Sequence, residues 1–187
     1  MKKRAEKSSP NKPLPGNPPP ESGSLSHVDP QGQARMVDVG GKRITVREAL
    51  ACGTVQVKRE TLKKIQANVM AKGDVLGVAR ISGILAAKKT HELIPLCHPL
   101  QISVVDLSFS LEEDPPRVHI LARVQTRDRT GVEMEAMTAV AVAALTIYDM
   151  CKAIDRGIQI LHIGLVKKTG GKSGVFIRKD ILQGNGG

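Results

Sequence analysis

The 187-residue chain is nearly devoid of aromatic side chains: it has no tryptophan, one tyrosine (Tyr148) and two phenylalanines (Phe109 and Phe176). Binders of single-stranded nucleic acid stack bases on aromatic platforms, and three scattered rings do not build one. Cysteine is scarce and odd in number. Cys52, Cys97 and Cys151 form no C-x-x-C pair, which argues against a disulfide framework and a structural zinc site. A reducing cytoplasm is the simplest setting. No run of 18 apolar residues exists, so no membrane span is expected. No apolar segment follows Met1-Lys2-Lys3-Arg4, so the start does not read as a secretory signal.

Acidic residues are also in deficit, 18 against 28 Lys and Arg, for a net charge of +10. Residues 1–24 hold five Lys/Arg, two Glu and six of the eleven prolines. Such a leader cannot build a core and is expected to be disordered. The rest keeps a surplus of +7, from 23 Lys/Arg against 16 Asp/Glu. Nucleic acid, an anionic surface or a phosphorylated metabolite could each use that surplus, and the missing rings favour the metabolite.

The remaining chain reads as one catalytic domain over 25–178, with a flexible tail at 179–187. Met36-Val37-Asp38-Val39 is a short apolar run suited to a strand. From Thr45 the pattern alternates, with Thr45, Arg47, Ala49, Ala51, Gly53, Val55 and Val57 on one face, a strand period. A helix over 46–51 is the alternative. The small residues on that face predict a close neighbour. Leu62, Ile65 and Val69 predict a helix over 60–69. Asp74 after Gly73 predicts the cap of a second helix, running to about Lys89 with Val75, Val78, Ala79, Ile81 and Leu85 on its apolar side. Two strands around Pro115-Pro116 form a hairpin. A long helix runs from about Gly131 to Arg156, a last strand follows, and a Gly/Lys loop covers 167–174. The order is that of a ferredoxin-like α+β sandwich (β-α-α-β-β-α-β), an antiparallel sheet with helices on one face. The long helix is apolar nearly all round between Met137 and Leu145, which predicts burial on more than one side and a subunit interface.

Reactive side chains cluster in a few places. Cys97 and His98 lie between Pro95 and Pro99, in a loop after Leu96. His98 reads equally as a proton-exchanging group or as a buried, satisfied histidine. Cys97 reads better as a pocket-lining residue than as a nucleophile, because no base is dedicated to it. Glu133, Met134 and Glu135 open the long helix, where carboxylates suit the helix dipole. Asp149 and Lys152, three residues apart near its end, share a face and can tune each other's pKa for acid/base work. A surface ion pair is the plainer reading. Lys72, Lys168 and Lys172 lie in or beside glycine loops that could hold phosphates. Gly171-Lys172-Ser173 fails the P-loop pattern, because Val166 stands where its first glycine belongs. Glu135 and Asp149 are 14 residues apart, roughly 21 Å along a helix, so one ligand touching both must lie between two subunits.

Several long motifs carry a resemblance that spans residues 26–176. They include Ser-His-Val-Asp at 26–29, Met-Val-Asp-Val at 36–39, Lys-Gly-Asp-Val at 72–75 and Ala-Ala-Lys-Lys-Thr at 86–90. Leu-Ile-Pro-Leu-Cys-His-Pro-Leu at 93–100 and Thr-Gly-Val-Glu-Met-Glu-Ala at 130–136 follow. Leu-Thr-Ile-Tyr-Asp-Met-Cys-Lys-Ala at 145–153 and Lys-Thr-Gly-Gly-Lys-Ser-Gly at 168–174 complete the set. In these the chain resembles the cyclic pyranopterin monophosphate synthases, the molybdenum cofactor biosynthesis protein C family.

The resemblance implies a ferredoxin-like lyase that acts early in molybdenum cofactor synthesis. It would convert 3′,8-cyclo-7,8-dihydro-GTP, the product of a radical S-adenosylmethionine enzyme, into cyclic pyranopterin monophosphate and diphosphate. It implies a homohexamer, a trimer of dimers, with sites at subunit interfaces. Asp149 and Lys152 match the catalytic pair, and Lys72, His98 and Lys168 match functional positions. Leu96, Cys97, His98, Met134 and Glu135 match substrate-binding positions, and Arg47 is expected to help with the phosphates, as are Glu133 and Lys172 with binding. No metal site or resident cofactor is expected, although Mg²⁺ can travel with the triphosphate. Two readings from other classes stand beside this one. They are a non-catalytic nucleotide or RNA binder, weakened by the missing aromatics, and a scaffold that delivers substrate to the radical enzyme.

Overall fold

The computed structural model describes residues 33–179. The leader at 1–24 and the tail beyond Lys179 lie outside the described residues. Of the separate unit that ends at Val37, the described residues 33–37 have no regular structure apart from one isolated bridge residue at Ala34. The strand expected at 36–39 is not formed: these four residues have no regular structure.

The domain proper holds five strands and four helices among the described residues. They are β1 (Thr45–Gln56), α1 (Arg59–Gln66), α2 (Val75–Lys88), α3 (Thr90–Leu93), β2 (Ile102–Glu113), β3 (Pro116–Asp128), α4 (Glu133–Cys151), β4 (Gln159–Thr169) and β5 (Phe176–Ile177). The sheet order is β2-β3-β1-β4-β5, and every adjacent pair is antiparallel. Strand β3 thus lies between β1 and β2, the split β-α-β arrangement of the ferredoxin-like sandwich.

Period-two patterning sorts the sheet residues as expected. Ala49, Ala51, Gly53 and Val55 of β1 are buried with Val118, Ile120, Ala122 and Val124 of β3. The small side chains of β1 admit α4: a Cβ on Gly53 would stand 2.5 Å from Val140 Cγ1. A second close approach brings α2 onto α4. A Cβ on Gly83 would stand 2.9 Å from the backbone oxygen of Ala139. Helix α4 is therefore covered on two sides by its own chain, the sheet and α2. That double burial accounts for its continuous apolar composition, which by length and hydropathy alone would suit a membrane span.

Two expected helix ends and one expected apolar face differ, each for a physical reason. Helix α1 stops at Gln66 because Asn68 takes a left-handed conformation (φ 54°). The amide of Asn68 then donates to the Ile65 carbonyl, and that of Val69 to Lys64. This is a Schellman-type end, which leaves Val69 exposed instead of packed. The expected apolar face of α2 splits in two. Val75 and Ala79 are buried with Gly83, whereas Val78, Ile81 and Leu85 point outward at 41%, 62% and 53% exposure. Helix α4 ends at Cys151 and not at Arg156. The Asp155 side chain is buried in the turn that follows, where it accepts hydrogen bonds from the amides of Lys58 and Gly157 and from the Thr61 hydroxyl. Asp74 caps α2 as predicted, accepting from the Gly77 amide at 2.9 Å.

Candidate active site

The candidate residues fall into two groups, one at each end of α4. At the C-terminal end, the Lys152 ammonium lies 2.7 Å from Asp149 Oδ1. Lys72 Nζ donates to Asp149 Oδ2 and to the Asp149 backbone oxygen, both at 2.9 Å. Lys72 comes from the turn before α2, so the close packing of α2 on α4 delivers it. The two ammonium groups also sit where the last carbonyls of α4 favour positive charge. The sequence placed Lys72 beside a phosphate loop. The structure instead makes it the second flank of Asp149.

This Lys72–Asp149–Lys152 group fixes protonation states. Hydrogen bonds from Lys152 and then Lys72, with the charges of both, hold the Asp149 carboxyl down at about 2. Asp149 in turn raises the Lys152 ammonium, through a hydrogen bond and its charge. At neutral pH the group is therefore a carboxylate between two ammonium ions. The side chains are about half exposed within one chain, Asp149 at 56% and Lys152 at 51%. Their own chain leaves them open to water.

The N-terminal end of α4 holds the second group. Glu135 is 4% exposed, and burial first, then the Glu133 carboxylate, push its carboxyl up to about 7 against the pull of a backbone hydrogen bond. Lys168 Nζ lies 3.3 Å from Glu133 Oε1 and donates to Ser173 Oγ at 2.8 Å. Cys97 is close enough for Glu135 to raise its thiol, after burial as the larger cause. A raised thiol is a poor nucleophile, which favours the pocket-lining reading of Cys97. The loop that carries it is a tight turn: the Cys97 amide donates to the Ile94 carbonyl at 3.0 Å, with Pro95 at the position that fits proline. Leu96 and His98 are half-buried in the same loop, and Met134 is 36% exposed.

Arg47 holds this end together. It donates through Nε to the Asp128 carbonyl at 3.4 Å and through Nη2 to Arg129 at 3.0 Å. Its guanidinium occupies the place a Cβ on Gly171 would need, and Gly170 and Gly171 both have positive φ (94° and 74°). Only glycine lets the backbone lie so close in that conformation. Lys172 is exposed in the same loop. Sequence reasoning missed this bracing role, because partners 81 and 82 residues away leave no local signal.

Among the described residues, no three His, Cys, Asp or Glu side chains gather into a group that could hold a metal ion.

The raised Glu135 carboxyl gives a stability prediction. The folded state keeps its proton up to about 7, whereas an ordinary Glu loses it near 4.5. Stability therefore falls as pH rises from about 4.5 to 7 and stays lowered above that. The penalty amounts to at most about 3 kcal/mol. Glu135→Gln removes it. The melting temperature of the variant should exceed that of the wild type at pH 8 and match it at pH 5, measured at one protomer concentration. An unchanged pH slope in the variant would show that Glu135 is not the titrating group.

The sequence that builds this site is similar to those of known proteins. The family model that matches residues 36–171 is that of the MoaC family. A cyclic pyranopterin monophosphate synthase of Pelotomaculum thermopropionicum is 59% identical over 155 residues, 83% of this chain and 91% of that protein. The Heliobacterium modesticaldum protein of the same name is 57% identical over 156 residues, 83% of this chain and 98% of its own length. One from a Roseiflexus strain is 58% identical over 153 residues, covering 82% and 97%.

Proposed function

The chain belongs to the MoaC family, and on that premise we propose that it is a lyase of molybdenum cofactor biosynthesis. It converts 3′,8-cyclo-7,8-dihydro-GTP into cyclic pyranopterin monophosphate and releases diphosphate. The observation that carries the reading is the Lys72–Asp149–Lys152 group, with the buried Glu135 at the other end of the same helix. The reaction needs proton transfers while a guanine-derived ring is opened and rebuilt. It also needs cations for a triphosphate whose α-phosphorus is attacked by a sugar hydroxyl.

Roles follow from charge and position. Lys152, an ammonium whose proton Asp149 holds, is the acid, and Asp149 stabilises the positive charge that develops beside it. Glu135, raised to about 7, is suited to exchange a proton with the purine-derived ring, which His98 and Met134 help to orient. Lys168 and Lys172 take phosphate oxygens. Lys168 must leave Glu133 to do so, which makes Glu133 a resting counter-ion that substrate displaces. Arg47 spends Nε and Nη2 on backbone carbonyls, so its part is to hold the glycine loop around the phosphates. Leu96 and Cys97 line the ring pocket. Any Mg²⁺ arrives with the triphosphate. A radical S-adenosylmethionine enzyme supplies the substrate, and the setting is the cytoplasm.

The two ends of α4 are roughly 21 Å apart, too far for one substrate in one chain. Met134, Leu145 and Lys152 recur at 11 and 18 residues and therefore lie on one helical stripe, and Val78, Ile81 and Leu85 of α2 are likewise outward. Two chains that bury this stripe in antiparallel fashion bring Asp149 and Lys152 of one to Glu135 and Lys168 of the other. Covering the half-exposed triad would also strengthen its electrostatics. Such dimers, assembled into a hexamer, complete each site.

Mixing tests this arrangement. Asp149→Asn and Lys168→Ala, each inactive alone, should recover about a quarter of wild-type turnover when exchanged in equal amounts. No recovery in oligomers shown by mass to be mixed would place both groups in one chain's site.

A further inference from the structure

The face of the sheet away from the helices carries a second constellation, which the α4 site does not use. Register places Ser110, His119, Thr54 and His162 in one row across β2, β3, β1 and β4. A register shift in β4 between the partners of Thr54 and Val55 leaves Leu161 as an extra residue, so that it and His162 both line this face. Bulges re-aim side chains in this way. The result is a cleft of about 730 Å³, bordered by Arg117 on one side and Arg178 on the other.

Four groups that are or can become cationic meet there against one carboxylate. Thr54 Oγ1 and His119 Nδ1 are 3.0 Å apart, and His119 Nε2 is 2.8 Å from Glu112 Oε2. Arg117 Nη1 reaches the same carboxylate only at 3.7 Å. Its Nε–H is buried and without a partner, a desolvated donor left for something else. Across the cleft, Arg178 lies over Gly164, where a Cβ would come within 2.9 Å of Nη1. Cys52 Sγ and His162 Nε2 are 3.7 Å apart beside it. Burial first, and then the neighbouring His119, Arg178 and Arg117, disfavour protonation of His162. Two arginines and two histidines against the single Glu112 carboxylate leave a surplus of donors, with hydroxyls between them, which suits an oxyanion. Strands β3 and β4 are two sheet spacings apart, roughly 10 Å, so a phosphate group can reach both borders.

We propose that this outer-face cleft binds a small phosphate-bearing anion, between Arg117 and Arg178 and over Thr54 and His162, separately from the reaction site. The positive border also opposes face-to-face pairing of two identical sheets.

The test is a titration of the full-length oligomer, carrying isotope-labelled histidine, with inorganic phosphate, followed by NMR. His98 reports the α4 site, and His119 and His162 report the cleft. Saturable shifts at His119 and His162 are expected. Arg178→Gln should weaken them by at least about tenfold while His98 behaves as in the wild type and turnover is unchanged. Arg117→Gln, on the other border, should do the same and guards against a local folding defect in one variant. A parallel arm with ribose 5-phosphate separates the sources. Tighter saturation than by phosphate assigns a phosphate ester, and equal or weaker saturation assigns the free anion. Shifts confined to His98, no saturable shift at His119 and His162, or wild-type affinity in both arginine variants would overturn the proposal.

Discussion

Asp149→Asn should abolish turnover, lowering kcat by at least about a thousandfold, while the protein still folds and assembles. The substitution keeps the shape of the side chain and removes the charge on which the group depends. Lys152 then loses the charge that raises its ammonium, and one of the two lysines faces an amide NH2 where it had an acceptor oxygen. Little stability should be lost, because an ion pair half open to water contributes little. Steady-state turnover of the cyclised substrate, together with a melting curve, checks both halves. Substantial activity in Asp149→Asn would remove Asp149 from the chemistry. The wild-type carboxyl is held near 2, so it stays ionised throughout the working range, and an ionisation seen near pH 7 belongs elsewhere, with Glu135 the candidate.

The largest effect on folding is expected from Asp155→Ala, which should lower the melting temperature by on the order of 10 °C. Asp155 is 1% exposed, and its two oxygens accept from Lys58 N–H at 2.8 Å, Thr61 Oγ at 3.1 Å and Gly157 N–H at 3.2 Å. Alanine strands the Thr61 hydroxyl, which is 1% exposed, and two amides, at about 3–5 kcal/mol. Asp155→Asn retains one oxygen and should lose less. Thermal unfolding at fixed protomer concentration is the measurement, since assembly adds to apparent stability. A wild-type melting point for Asp155→Ala would mean that the turn after α4 is not anchored by this side chain. The effect should fall on stability first, because the side-chain hydrogen bonds of Asp155 go to Lys58, Thr61 and Gly157, none of them assigned to the reaction.

Sequence alone determined what is local or periodic. Alternation in β1 and β3, the Asp74 cap and the apolar spacing of the helices come from backbone geometry acting over a few residues, and these elements stand where expected. Motif order likewise identified the family, and with it Asp149 and Lys152, whose separation on a helix is set by the helix itself. The outward turn of Val78, Ile81 and Leu85 was not legible, because an apolar stripe does not say which of two partners will cover it. Nor was the end of α4 at Cys151, which depends on donors from Lys58 and Thr61 almost a hundred residues earlier. Tertiary structure also decided the meeting of Lys72 with Asp149, 77 residues apart, and the burial that lifts Glu135. The same holds for the outer-face row, where strand register alone sets His119, Thr54 and His162 side by side. Helix and strand periods propagate along the chain, whereas proximity across it arises only when packed small residues such as Gly53 and Gly83 let elements close on each other. The chemistry of this protein lies in those contacts.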